Sequence, residues 1–491
     1  MITKTDANEL QDYLADASNI AGGNADRLLI PETRDEVANA VGASEGRITI
    51  SGARTGTVGG AVPDGGTLIS LEKLDQILSI NKERRSVTVG AGVLLADLQK
   101  AVQSEGLYYP PDPTEWSCQM GGTVATNASG ARSFKYGSTR DFVKRIEVVL
   151  ANGDDLTVRR GNILSNEGRI AFKTNSGTKI SAKLPTYSKP SVRKDACGYF
   201  AGERVDLIDL FIGSEGTLGI ITEVELALVK KPEGSFSGIV FFPEHDDLLG
   251  FVEAVRDESF RNRRDGSEGI DATFVEYFDP NSIALISEKF SEAPDGFAGA
   301  VFFEQETTEE SEEELLEAWT ALFERFNAAV EESWFAVSEE DLEKMKEFRH
   351  ALPVTVNERV VRNKQRKIGT DMAVPDKNFR SFLGFCRAKL EESGIENVTF
   401  GHIGDCHLHI NLLPVDDEEA NRASNLYGRF VAQSIMLGGT VSAEHGIGKL
   451  KSKYLYVMYG ERYLNEMAEL KKAFDPDVRL GFGNMIDERF L

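Results

Sequence analysis

Cysteine is scarce in this chain: four in 491 residues, at Cys118, Cys197, Cys386 and Cys406, with no CxxC pair. That scatter excludes an internal iron–sulfur cluster or a Cys-rich zinc site, and it offers no disulfide framework, so a reducing compartment fits. Long apolar runs are missing too, none approaching the ~18–20 residues that span a bilayer. Positive charge is in deficit, with 55 Lys+Arg against 79 Asp+Glu and a formal net charge of −24. Such a surface repels phosphate backbones and anionic lipid at long range, which argues against nucleic acid as the main partner. The opening stretch from Met1 to Gly23 is polar and acidic, unlike a secretory or organellar leader. These absences lead to the expectation of a cytoplasmic protein with no transmembrane segment, any membrane contact being peripheral or through a partner.

What is present is a soluble balance of 41% hydrophobic and 27% charged residues, over a length that exceeds one core. Between Asn8 and Val229 short β-branched runs alternate with helical patterns. Arg47–Ile50, Ser86–Val89 and Arg145–Leu150 are predicted strands, and Val93–Gln103 a helix with Leu94, Leu95, Leu98 and Val102 on one side. The polar, Gly/Ser/Lys-rich stretch Leu156–Pro190 is expected to be an insertion or mobile loop. Lys230 to Gly234 (KKPEG) marks a boundary. Beyond it come a strand over Gly238–Phe242, a helix over Leu248–Val255 and a long acidic helix over Thr308–Asn327. The stripe of Leu315, Leu316, Trp319, Leu322, Phe323 and Phe326 on that last helix follows a 3.6-residue period and is expected to pack into the core.

Three glycine clusters lie at strand edges in the first half: Ser51–Gly60 (SGARTGTVGG), Gly121–Gly130 (GGTVATNASG) and Gly213–Gly219 (GSEGTLG). Each alone is an ordinary turn. Glycine lets backbone N–H groups form a concave nest for phosphate, and three such clusters point to an extended phosphate-bearing cofactor. The first is neither a dinucleotide fingerprint nor a Walker loop, because G-x-G-x-x-G and Gly-Lys-Ser/Thr are absent.

The order SGARTGTVGG, then PPDPTEWSCQMGGTVATNASGARSFKYGS, then FIGSEGTLGIITEVEL resembles the FAD-binding domain of the vanillyl-alcohol oxidase/p-cresol methylhydroxylase (PCMH) type. The second half resembles the FAD-linked oxidase C-terminal domain of glycolate oxidase large subunits, D-lactate dehydrogenases and D-2-hydroxyglutarate dehydrogenases. The resemblance implies an α+β protein: a two-subdomain PCMH-type FAD-binding domain over 1–230, then an α+β domain with an antiparallel sheet over 231–491. It implies FAD contacts from Arg54, Gly56, Thr57, Gly59, Gly60, Gly121 and Gly122 on the pyrophosphate side. Thr126, Asn127 and Gly130 would lie along the flavin, and Glu215, Gly216, Thr217 and Ile220 would border it. Asp112, Thr114, Gly137 and Asn484 complete the expected cofactor set. The segment Tyr109–Thr114 holds no histidine, so FAD is expected without a covalent link, and Cys118 is expected to be structural.

Four of the six histidines fall between residues 402 and 445. In the alternating run Cys406–Leu412, His407, His409 and Asn411 are expected on one strand face, with Leu408, Ile410 and Leu412 on the other. A lone histidine is usually a core or surface residue, but two imidazoles followed by Glu444–His445 suit a metal and acid–base site. The resemblance implies His402, His409 and Glu444 as ligands of a divalent metal, zinc first, with manganese or iron(II) as alternatives. It implies His445 as the base, Asn411 as a substrate contact, Arg349 as a carboxylate clamp and Lys367 as a weaker candidate for that clamp. Where relatives carry Gly-Asn this chain has Cys406–His407, and His407 is left as an extra ligand, a substrate contact or a hydrogen-bonded rim residue. The implied activity is FAD-dependent oxidation of a small 2-hydroxy acid, with electrons leaving to an electron-transfer flavoprotein, an iron–sulfur protein or a quinone. A non-redox flavoenzyme of the ether-lipid synthase type and an FAD-carrying subunit of a larger complex are the alternatives, and a homodimer is an open arrangement.

Overall fold

The β-branched runs of the first half become strands in two larger sheets, in a computed structural model that describes residues 1–491. One has four strands in the order Ile2–Lys4, Arg27–Ile30, Thr67–Ser70 and Ile48–Ser51. Its last three are parallel to one another. Parallel strands need crossover connections, and the helix Arg34–Gly42, N-capped by Thr33, supplies one. The other sheet is antiparallel, in the order Ile77–Asn81, Ser86–Gly90, Ile220–Ala227, Val143–Val149 and Asp155–Arg159. The predicted strands lie within these elements to within two or three residues, and the predicted helix forms as Leu95–Gln103.

After residue 234 the chain enters an eight-stranded antiparallel sheet. Its order runs Ala329–Phe335, Gly234–Phe242, Gly299–Thr307, Ala272–Phe278, Asn397–Gly401, His407–Leu412 and Ile368–Gly369, with Met372–Ala373 also paired to His407–Leu412. One face packs on the helices His245–Asp265 and Glu312–Arg325, where Phe251 meets Trp319 and Trp319 stacks on Phe303 from the sheet. The helix Glu339–Arg362 covers the other face through Phe348, Leu352 and Val356. Trp319, Leu315, Leu322 and Phe323 are buried as the stripe predicts. Leu316 is the correction: it is exposed, because it follows Leu315 by one residue and a helix rotates it off the buried face.

The stretch expected to be a loop is ordered. It contains the end of Asp155–Arg159 and a hairpin of Arg169–Lys173 with Lys179–Lys183. The polar residues that disguised it face solvent in strict alternation, while Ile170, Phe172 and Ala182 face inward. Phe172 meets Phe474 from the helix Ser452–Phe474, so the C-terminal part of the chain returns to the first half. Gly481 N–H donates to Ile48 O (2.9 Å) and Met485 N–H to Gly448 O (2.9 Å). No helix is long and apolar enough to cross a membrane.

Candidate active site

The glycine clusters converge on one cleft. Gln119 leads into the short helix Met120–Thr126, which Asn127 ends in the left-handed region (φ 52°, ψ 49°). Along its open side lie Arg54, Gly56, Thr57, Gly60, Thr114, Gly121, Gly122, Thr126, Glu215, Gly216, Ile220 and Asn484, all expected cofactor contacts. A Cβ added to Gly56 or Gly122 would meet no protein atom within 4 Å, so the backbone is bare there. Gln119 Oε1 and Asn484 Oδ1 line the same cleft, buried and without a hydrogen-bond partner. Buried acceptors are rarely left unpaired, and an extended polar ligand would satisfy them.

The other expected cofactor residues do not line the cleft, and each has a local structural task. Gly59 lies at φ 82°, where a Cβ would strike Ile20, and Gly130 passes so close to Asp112 O that a Cβ would stand 1.8 Å away. Asp112 accepts from Trp116 Nε1 (2.7 Å) and pairs with Arg132. Asn127 Oδ1 accepts from Arg140 N–H (2.9 Å). Gly137 ends a short helix at φ 86°. Thr217 Oγ1 donates to Ser214 O (2.6 Å) and lies 2.8 Å from the Tyr199 hydroxyl. Cys118, expected to be structural, lies at the cleft with its thiol raised by burial to about 12.

At one end of the cleft stand Glu444 and His445, which also belong to the imidazole cluster. The strands Asn397–Gly401 and His407–Leu412 pair in register, with Phe400 opposite His409. His402 follows the first strand and His409 lies within the second. Both Nε2 atoms point at Glu444 Oε1, at 3.3 Å from His402 and 3.1 Å from His409. His445 stacks on His409, ring centroids 5.1 Å apart at 16°, with its Nε2 3.7 Å from the same oxygen. Asn411 is buried on the face of His409 and donates to His409 O (3.4 Å). Arg349 is buried on its helix with Nε donating to Glu276 Oε2 (2.8 Å), which leaves its terminal nitrogens without a protein partner. Lys367 precedes the strand paired to Asn411, is exposed, and forms no ion pair.

The first half of the chain reaches this cluster. Lys194 Nζ lies 3.1 Å from Glu444 Oε2 and donates to Gly130 O (2.8 Å), while Ser129 Oγ donates to Glu444 Oε2 (3.2 Å). Burial opposes the charge on Lys194, yet Glu444, Asp405 and Glu276 hold its pKa above the ordinary value. Glu215, on the cleft wall, accepts from Ile447 N–H (2.7 Å) and Gly448 N–H (2.6 Å), tying down the loop that carries Glu444 and His445. Burial pushes the Glu215 carboxyl up to about 7.

Comparison with known proteins fits this geometry. Residues 25–159 match the family described as "FAD binding domain" and residues 247–485 the family described as "FAD linked oxidases, C-terminal domain". The chain is 30% identical to the glycolate oxidase subunit GlcD of Bacillus subtilis (strain 168), over 96% of this chain and 91% of that one. The chain belongs to the FAD-linked oxidase family. The D-lactate dehydrogenase of Anaerostipes hadrus is likewise 30% identical, over 97% and 92% of the two chains. A D-2-hydroxyglutarate dehydrogenase of Stutzerimonas stutzeri (strain A1501) is 28% identical over 96% and 93%. Among solved structures, p-cresol methylhydroxylase with substrate bound superposes with a TM-score of 0.72 at 15% identity, covering 99% and 94%. An alkyldihydroxyacetonephosphate synthase does so at 0.66 and 15%, covering 98% and 81%. The fold is therefore a PCMH-type FAD-binding domain joined to the FAD-linked oxidase C-terminal domain, and the protein is an FAD-dependent oxidoreductase.

In this FAD-linked oxidase the donor set also fits a cation. His409 Nδ1 faces Thr370 O at 3.1 Å, and a carbonyl only accepts, so Nδ1 carries the proton. Its Nε2 then presents a lone pair to Glu444 Oε1. His402 faces the same conflict, because its Nδ1 is hydrogen-bonded to Glu276 Oε1 while its Nε2 meets Glu444. Bare nitrogens around a carboxylate oxygen repel one another unless positive charge sits among them. Without a cation the charge must come from a proton: burial disfavours it, but Glu276 and Glu444 raise the His402 pKa to about 9.

Three participants went unremarked in the sequence. Glu276 had a visible signal, a lone carboxylate in the fully buried strand Ala272–Phe278. Asp371 sits in the Gly369–Pro375 segment and is fully buried, accepting from the backbone N–H groups of Glu444 (3.2 Å) and His445 (3.0 Å). Lys194 had no signal, since only the folded chain brings it to residue 444.

Proposed function

We propose that this FAD-linked oxidase oxidises a small 2-hydroxy acid, of the D-lactate, glycolate or D-2-hydroxyglutarate class, to the 2-oxo acid. The observation that carries the reading is that Glu444 and His445 line both the cofactor cleft and the imidazole cluster. A substrate lying there meets a proton acceptor on one side and the cofactor on the other. When bound, FAD supplies a two-electron acceptor, and a divalent cation held by His402, His409 and Glu444 supplies positive charge beside the substrate hydroxyl.

Oxidation of R–CH(OH)–COO⁻ removes a proton from oxygen and a hydride from carbon. His445 takes the proton. Burial pushes its pKa down to about 4, so the ring is neutral and ready to accept at physiological pH. Asp371, held ionised against its burial by the Lys451 ammonium 2.6 Å away, fixes the His445 backbone and lies 3.4 Å from Nδ1. The terminal nitrogens of Arg349 are suited to a bidentate grip on the substrate carboxylate. Lys367 and Asn411 would be further substrate contacts. A separate protein or a quinone would reoxidise the flavin.

The complete His402, His409, Glu444 and His445 set favours this reading over a carrier subunit, which has no use for it. Anaerobic addition of D-lactate, glycolate and D-2-hydroxyglutarate to the yellow protein tests it. At least one should bleach the flavin within the mixing experiment; a flavin left oxidised by the whole 2-hydroxy acid panel would remove the proposal.

A further inference from the structure

His407 is fully buried, and both of its ring nitrogens lack a hydrogen-bond partner. Its Nε2 stands 3.0 Å from Asp371 Oδ1 but out of line for a hydrogen bond. That oxygen already accepts from Glu444 N–H (3.2 Å). The His407 ring lies 4.6 Å from that of His409 and 5.5 Å from that of His402, centroid to centroid. One donor atom from each of His402, His407, His409 and Glu444 lies within 4.8 Å of all the others. Donors at about 2.0–2.2 Å from one cation span roughly 4 Å at most, so small side-chain rotations close the set. An imidazole buried with neither nitrogen hydrogen-bonded is costly to keep, and a cation among these four residues would take up one of the two.

We infer that His407 is a fourth protein ligand, giving a three-imidazole, one-carboxylate site. The inference rests on the three-ligand metal reading above and extends it. It has a consequence for the ion. Zinc with four protein ligands in tetrahedral geometry has no position left for substrate. Zinc would have to expand to five-coordinate to admit a substrate oxygen, whereas manganese(II) and iron(II) take five or six donors readily, which favours them for turnover.

The ligand count can be read without turnover. Protein stripped of metal but retaining FAD would be loaded with one equivalent of copper(II), and its EPR spectrum examined for nitrogen splitting. Three coordinating imidazoles are expected, falling to two in His407→Asn. Cobalt(II) titration of the same pair should show one site in each, weakened in the variant by more than the roughly 10–100-fold typical of losing an outer-shell partner. Two imidazoles in the unaltered protein, with tight stoichiometric binding, would overturn the fourth ligand and leave the three-ligand site standing. Failure of the unaltered protein to bind any of these ions stoichiometrically would overturn both. If His407→Asn precipitates, the count in the unaltered protein still decides.

Discussion

The cofactor cleft and the imidazole cluster share a wall but are built on opposite principles. The cleft is made largely of backbone: about half of its lining is glycine, alanine and threonine, which leaves N–H and C=O groups open to a ligand. The cluster is made of side chains on a rigid strand pair, held by a second layer of Glu276, Asp371, Thr370 and Lys194. A backbone site fails when something is added to it. A side-chain site fails when something is taken away. Substitutions that enlarge should therefore damage the first, and substitutions that truncate or neutralise should damage the second.

The largest effect should come from the cluster. His445→Asn keeps the size and hydrogen-bonding capacity of the side chain but cannot accept a proton near neutral pH. Anaerobic stopped-flow reduction should slow by roughly 10²–10⁴-fold, the usual general-base contribution, with FAD and metal content unchanged. Near-normal reduction in metal-replete protein would show that His445 is not the base.

Next is Lys194→Met, a first-half change aimed at the second-half site. It leaves Glu444 buried without its lysine partner, and breaking a buried pair costs about 3–5 kcal/mol. A comparable loss in denaturant stability is expected, whereas an unchanged midpoint would mean that Lys194 contributes nothing to holding Glu444. The cleft gives the third test. Gly122→Val projects into space that no protein atom occupies, so the apoprotein should stay folded while FAD is lost. Retention of full yellow colour would show that cofactor does not approach Gly122.

The smallest effect is a matter of pH. Because burial lowers the His445 pKa to about 4, the neutral base persists across the neutral and mildly acidic range. Flavin reduction should hold steady from about pH 8 down to about pH 5 and fall only as His445 protonates below that. An unperturbed histidine would already lose the base near pH 6.5. A midpoint there would show that burial does not depress the His445 pKa.

How legible each site was follows from the same contrast. Glycines announce themselves by local density: Gly56, Gly60, Gly121, Gly122 and Gly216 line the cleft, with the backbone bare at Gly56 and Gly122. Gly59, Gly130 and Gly137 are not in the lining, and each meets a tight local geometry: a Cβ would strike Ile20 at Gly59 and Asp112 O at Gly130, and Gly137 turns at φ 86°. The histidine–glutamate residues were visible as types but not as neighbours. His409 and Glu444 are brought together by strand pairing and by a loop pinned to Glu215, neither of which has a local sequence signal. The hairpin Arg169–Lys183 was misjudged for a different reason: its outward residues are mostly arginine, lysine and serine, and polarity concealed a two-residue alternation.

The two halves are stitched across the chain at Lys194 to Glu444, Glu215 to the Ile447–Gly448 backbone, and Asn484 to Gly60. Their inheritance is therefore shared. A chimera joined at the 230–234 boundary to a distant relative would cut through a hydrophobic core that both halves share, and it would set a lysine, a glutamate and an asparagine against partners of another ancestry. Exchange of substrate preference between members of this family by recombination should thus succeed only when the crossover carries residues 194, 215 and 444–448 as one block. In this protein the natural unit of exchange is a contact set, not a domain.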